Sequence, residues 1–163
     1  MAYLPEVSPP SSFSETEAHY YVYGYNGNDA AQAKSTNNYL QYGVLYNWEA
    51  ARISCPPGWH LPGNWEYNSL ERLLGDQAGY KMKSQSGWFD LGNGDNSSGL
   101  NVLPGGAYKA PDGFDWLSKT AYLQTASIDD KNKVNLFTLT YNSESLNPGL
   151  GSKMNGFSVR CVR

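Results

Sequence analysis

The stretch Cys55-Pro56-Pro57-Gly58-Trp59-His60-Leu61-Pro62 limits what this chain can fold into more than any other. Neither Pro56 nor Pro57 can donate a backbone hydrogen bond, and a residue before proline avoids the α region. A helix arriving from the N-terminal side must therefore stop here. The stretch also holds one of the two cysteines; the other stands near the far end, in Gly156-Phe157-Ser158-Val159-Arg160-Cys161-Val162-Arg163. A bond between Cys55 and Cys161 would tie the end of an early helix to the last strand. It would close a loop of about 100 residues, worth roughly 4–5 kcal/mol in loop-closure entropy before strain is subtracted. The pair has no CxxC spacing and forms no metal motif. Such a pair favours a structural disulfide and an oxidising compartment over two free buried thiols.

The 163 residues suit one domain with its own core. Much of the apolar content is aromatic, with thirteen Tyr, five Trp and five Phe, residue types that serve both cores and recognition surfaces. A net charge of −3 gives no steering toward nucleic acid, so no nucleic-acid partner is expected. No apolar run approaches the roughly 20 residues of a membrane helix, so no membrane insertion is expected. The first residues, Met1-Ala2-Tyr3-Leu4-Pro5, lack the basic and apolar parts of a secretory leader. Taken literally that means a cytoplasmic protein; Met1 could equally be an engineered start on a mature domain whose leader was removed.

Residues 1–18, rich in Pro, Ser and Glu, read as a linker or tether, with the folded domain at 19–163. His19–Tyr25 reads as a first strand ending in the turn Asn26-Gly27-Asn28-Asp29. A single helical turn fits Ala30–Lys34, and Tyr39–Tyr46 reads as a second strand. Asn47 can cap a short helix over Trp48–Ile53. A second helix fits Asn64–Leu74, with Trp65, Leu70, Leu73 and Leu74 roughly on one face and Gly75 ending it. Strand candidates follow at Leu100–Leu103, Gly106–Lys109, Tyr122–Ser127, Val134–Tyr141 and Phe157–Val162. Two short helices followed by antiparallel strands give an α+β class.

Several segments together resemble one family. Tyr42-Gly43-Val44-Leu45-Tyr46-Asn47-Trp48-Glu49-Ala50-Ala51 and Cys55–Pro62 are followed by Gly79-Tyr80-Lys81-Met82-Lys83-Ser84 and Gly87-Trp88. Gly99-Leu100-Asn101-Val102-Leu103-Pro104-Gly105-Gly106 and Asn155–Arg163 complete the set. In this order they resemble the Fibrobacter succinogenes major paralogous domain, over about residues 20–163. The resemblance implies a C-type-lectin-like fold, related to formylglycine-generating enzymes, in secreted or surface-attached bacterial proteins without an established general catalytic activity. It also implies the crosslink of first helix to final strand. Leu123, in Tyr122-Leu123-Gln124-Thr125-Ala126-Ser127, departs from the family by replacing a tryptophan. Some proteins with this fold are variable targets of diversity-generating retroelements, with hypervariable positions near the C-terminus, which here falls on residues 107–155.

The chemistry-bearing residues are few. His60 and His19 are the only histidines, and nothing places a nucleophile beside either. Formylglycine-generating enzymes use an active-site cysteine pair with copper; a Cys55–Cys161 bridge would leave none. Asp90, Asn93, Asp95 and Asn96 are hard oxygen donors in one polar loop, which raises a calcium site against a solvated turn. The spacing is not that of an EF-hand, and the sugar-binding calcium signatures of true C-type lectins are missing. No other cofactor is expected. Along Val134–Tyr141, Phe137, Leu139 and Tyr141 would face the core and leave Thr138, Thr140 and Asn142 outward. With Trp116, Tyr122 and Gln124 these form the candidate contact residues for an unidentified protein or glycan. The expectation is a noncatalytic binding module, secreted or displayed on a bacterial or phage surface. The alternatives are an enzyme with a divergent site, in which His60 or the Asp90–Asp95 loop does chemistry, and a structural spacer domain.

Overall fold

Short polar side chains decide where the helices begin. In the computed structural model, which describes residues 2–129, 131 and 133–163, Asp29 Oδ1 accepts from the Ala31 and Gln32 N–H groups and starts α1 (Ala30–Lys34). Thr36 Oγ1 accepts from the Tyr39 N–H and starts α2 (Asn37–Tyr42). Asn47 Oδ1 accepts from the Ala50 N–H and starts α3 (Trp48–Ile53). Glu66 reaches back to the Gly63 N–H at the start of α4 (Asn64–Leu74). A fifth short helix, α5 (Ala78–Met82), follows, one that the sequence did not suggest. The expected strand over Tyr39–Tyr46 is instead α2, a turn at Gly43 with φ 76°, and two strand residues. The Thr36 cap, together with burial of Tyr39, overrides the β preference of the aromatics.

The class is α+β, with three small antiparallel sheets. Strand β1 (Tyr20–Tyr21) pairs with β2 (Leu45–Tyr46). Strand β3 (Ala107–Lys109) pairs with β4 (Gly113–Asp115), setting Tyr108 opposite Phe114. The largest sheet runs in the order β5 (Thr120–Ile128), β6 (Val134–Thr140), β7 (Asn147–Gly151). Asn147-Pro148-Gly149, a run of turn-forming residues, lies within this last strand. As an edge strand, β7 tolerates a proline, since Pro148 needs no donor on its outer side. Leu100–Leu103 and Phe157–Val162 are not continuous strands; they make single bridges, Val102 to Lys83, Phe157 to Tyr46, Ser158 to Leu123 and Val162 to His60.

One face of the large sheet, through Ala121, Leu123, Phe137 and Leu139, packs on Tyr67, Met82 and Trp88. Helix α4 turns Tyr67, Leu70 and Leu74 to this core and leaves Trp65 and Leu73 exposed, unlike the face read from sequence. The N-terminal residues read as a tether lie against the domain. Leu4 and Val7 are buried in a core cluster with Tyr20, Tyr39 and Tyr46. Tyrosine hydroxyls hold the segment's backbone: Tyr46 donates to the Tyr3 carbonyl, Tyr39 to Ala2 and Tyr21 to Ser12. The residues are polar and proline-rich because they are pinned through backbone carbonyls rather than through many apolar side chains.

Cys55 and Cys161 form a disulfide with a Cα–Cα distance of 5.7 Å. It joins the residue after α3 to the C-terminal segment, and His60 and Val162 exchange backbone hydrogen bonds nearby. On the other side of α3, Asn47 is fully buried and makes four side-chain hydrogen bonds. Its Oδ1 accepts from the His19 and Ala50 N–H groups, while its Nδ2 donates to the Ser14 and Glu17 carbonyls. Replacing it strands several buried polar groups at once. Asn47→Ala is expected to lower the unfolding free energy by about 3 kcal/mol, as read from urea titrations.

His19 is buried with Nδ1 on Ser8 Oγ at 3.0 Å. Burial pushes its pKa down, opposed by the charges of Glu17 and Glu6. Below about pH 6.5 the unfolded chain takes up a proton that the folded chain still refuses. This residue's contribution therefore falls as pH drops through that window. The loss of unfolding free energy between about pH 7.5 and about pH 5.5 should be smaller in His19→Gln than in the wild type.

Candidate ligand-binding face

Two loops that meet at the surface are held in backbone conformations that non-glycine residues seldom adopt. After β4, Trp116 has φ 64° and Ser118 φ 60°; in the short 3₁₀ turn Phe89–Leu91, Asp90 has φ 48° and Leu91 φ 57°. Each such residue costs of order 1 kcal/mol or more, and persists only where its surroundings fix it. Hydrogen bonds do so here. The Phe89 N–H donates to the Ser118 carbonyl at 2.8 Å and stitches the loops together, while the Ser118 N–H donates to the Pro104 carbonyl at 2.9 Å. Asp115 Oδ1 accepts from the Trp116 N–H, and the Trp116 carbonyl accepts from Lys119 and Thr120. Gly92 lies against the Tyr141 backbone so closely that a Cβ there would clash.

This frame presents apolar side chains to solvent. Leu91 is 92% exposed, Phe89 47% and Trp116 41%. Phe89 packs edge-on against Tyr141 with centroids 5.2 Å apart. Lys119 Nζ lies 5.0 Å from the Phe89 ring centre and 5.9 Å from that of Trp116. Lys109 Nζ lies 5.7 Å from the Trp116 ring and 3.4 Å from Asp115 Oδ2. The result is an aromatic and aliphatic patch with ammonium groups beside its rings, an arrangement cation–π attraction favours.

The residues expected to make contacts fall in different places. Trp116 and Asn142 are exposed. Tyr122 and Thr138 stand opposite each other on β5 and β6, and Thr140 opposite Thr120, all on one sheet face. That strip is half-buried, and Tyr122 packs on Phe157 with centroids 5.6 Å apart. Gln124 shares the face but is fully buried, donating from Nε2 to the Tyr46 carbonyl, so it is a packing residue. Of residues 107–155, Asp130 and Asn132 lie outside the described residues. Phe89, Leu91, Lys109 and Lys119 were not singled out from sequence. The available signal was the apolar pair Phe89 and Leu91 bracketing Asp90 just before a glycine-rich loop.

In the loop raised as a calcium site, three side-chain oxygens accept from nearby backbone N–H groups. Asn93 Oδ1 accepts from the Trp88 N–H, Asp95 Oδ1 from Ser97 and Asn96 Oδ1 from Asn101. The Ser97 N–H holds the Asp95 carboxyl below the usual carboxylate range. Asp90 sits in the strained turn itself. Among the described residues no group of three or more His, Cys, Asp or Glu side chains is placed to hold a metal ion. His60 is exposed, its Nε2 2.8 Å from Glu66 Oε1. Lys83 is buried and donates from Nζ to the carbonyls of Thr140, at the end of β6, and Ser143. Burial pushes its pKa down, opposed by Glu144. A concavity of about 1260 Å³ is separate from this chemistry and follows the disulfide past Tyr3, Tyr42, Ile53 and Val159.

A family model described as the Fibrobacter succinogenes major domain matches residues 8–163. No curated protein and no solved structure matches the chain.

Leu91 combines a positive φ with a side chain that packs on little. Leu91→Gly removes the strain at small packing cost. It is expected to raise the unfolding free energy by about 0.5–1 kcal/mol in urea titrations, after the added backbone entropy of glycine is counted.

Proposed function

The chain belongs to the Fibrobacter succinogenes major domain family, and from that premise we propose that it is a noncatalytic binding module which holds a ligand on the Trp116 face. The observation that carries the reading is the pair of stitched, strained loops that push Phe89, Leu91 and Trp116 into solvent. Backbone strain kept at an exposed apolar patch lowers stability without serving the core. A contact surface fixed in advance is what such strain gains, because the loops then lose little freedom on binding.

The ligand class follows from the side chains. A nearly free leucine beside two aromatics and two lysines suits a protein partner whose surface is apolar at its centre and acidic around it. A glycan would stack on open ring faces, and here ammonium groups stand beside both rings. The polar strip of Tyr122, Thr138 and Thr140 offers hydrogen bonds beyond the patch. The disulfide suits an oxidising compartment, in keeping with secretion or display on a bacterial or phage surface and with a C-type-lectin-like scaffold. No described helix is long and apolar enough to cross a membrane.

The test is a screen of the protein against panels of bacterial and host surface proteins and of glycans, followed by Trp116→Ala. Protein ligands should emerge, and Trp116→Ala should weaken them about 30-fold with the melting temperature nearly unchanged. Unchanged affinity would remove the patch from the site. A screen without any ligand would favour a spacer role.

A further inference from the structure

Among the described residues, no carboxylate forms an ion pair with Lys119 and no oxygen accepts from its Nζ. The residue is half-buried, and its Nζ lies 5.0 Å from the centre of the Phe89 ring and 5.9 Å from that of Trp116. Ring faces attract the charge but offer no lone pair to the three N–H donors of the ammonium. Lys109, the other lysine of the patch, differs: its Nζ is 3.4 Å from Asp115 Oδ2. The backbone fixes where Lys119 stands. Its N–H donates to the Trp116 carbonyl, and its own carbonyl accepts from the Tyr141 N–H.

We propose that Lys119 receives a carboxylate of the partner protein, an Asp or Glu side chain flanked by large apolar residues, at the centre of the Trp116 face. The inference rests on the reading of that face as a binding surface, and it adds the group that selects among partners. Position gives the first reason. The ammonium stands beside two rings that a partner would cover, so the ion pair forms where water is excluded. A charge-assisted hydrogen bond there is stronger than one at an open rim. Desolvation gives the second. Covering this ammonium with a neutral or basic group takes away its water and returns no acceptor, which rejects partners that lack the acid. The apolar flanks follow from Leu91, which is 92% exposed, and from Phe89 and Trp116 beside it.

A random dodecapeptide library, selected on the disulfide-intact protein with Trp116→Ala as the counter-selection, tests this. Peptides that depend on Trp116 should carry Asp or Glu beside Leu, Phe or Trp. Lys119→Met keeps the apolar stem and should weaken them about 10–30-fold, whereas Lys119→Arg should weaken them less than about 3-fold. Changing the peptide's acid to its amide should cost as much in the wild type and almost nothing in Lys119→Met. Trp116-dependent peptides that lack an acid, or that ignore Lys119→Met, overturn the proposal and leave the face standing. If no selected peptide depends on Trp116, the face fails and the role of Lys119 with it. Tighter binding of a sialylated glycan than of any selected peptide also overturns the proposal, by giving the carboxylate to a sugar acid. Should Lys119→Met not fold, the wild-type affinities for acid and amide peptides decide, and equal values overturn it.

Discussion

Asn47 carries the junction on which the rest of the structure depends. A primary amide has two donors and an acceptor with two lone pairs, and here all four are used, to the N-terminal segment on one side and to α3 on the other. The neighbouring Tyr46 extends the junction. Its backbone exchanges hydrogen bonds with Phe157 from the C-terminal segment, and its carbonyl also accepts from Gln124 of β5. The start, middle and end of the chain therefore meet within two residues. An aspartate could cap α3 equally well but has no donors for Ser14 and Glu17, so only asparagine serves both directions.

The disulfide and the tyrosine hydroxyls work on either side of that junction. The bridge keeps the C-terminal segment beside α3, which the single bridges at Phe157, Ser158 and Val162 could not do by their few hydrogen bonds alone. Tyr21, Tyr39, Tyr46 and Tyr108 donate to carbonyls of residues 2–12. A chain rich in Tyr can fasten an irregular segment this way, since each ring packs in the core while its oxygen reaches the backbone. The frame that results depends little on the loops at 89–91 and 116–118, which leaves them free to carry strain.

What could be read from the sequence were features whose physics is local. The cap at Asn47, the turn at Asn26–Asp29, the stop at Pro56-Pro57 and the alternation along β6 all act within a few residues. The helix at 64–74 was legible as a helix. Its buried face was not, because Trp65 and Leu73 are as apolar as Leu70 and only the position of the sheet decides between them. The N-terminal segment reads as a linker or tether because its partners, the hydroxyls of residues far along the chain, leave no mark in its own composition. Gln124 escaped for the mirror reason: a polar residue among the candidate contacts is drawn inside by the carbonyl of Tyr46, far away in the chain. The Trp116 patch was half legible. The exposed tryptophan after a glycine could be suspected, but a positive φ at Leu91 cannot be inferred from a residue type that avoids it.

Unpaired buried atoms and backbone strain are two different costs in this structure. Among the described residues, Trp48 Nε1, Tyr67 Oη and Gln124 Oε1 lack partners. The Trp48 ring lies against Arg52 and Lys153, 4.8 and 4.4 Å from their cationic groups, and Gln124 already donates through its amide, so each retains favourable contacts that offset its loss. Tyr67 has no such compensation for its oxygen, which is buried while its ring stacks on Phe137. At the Trp116 face the cost lies in the backbone instead. A buried donor left unpaired lowers stability wherever it sits, whereas strain at the surface fixes the shape that a partner meets.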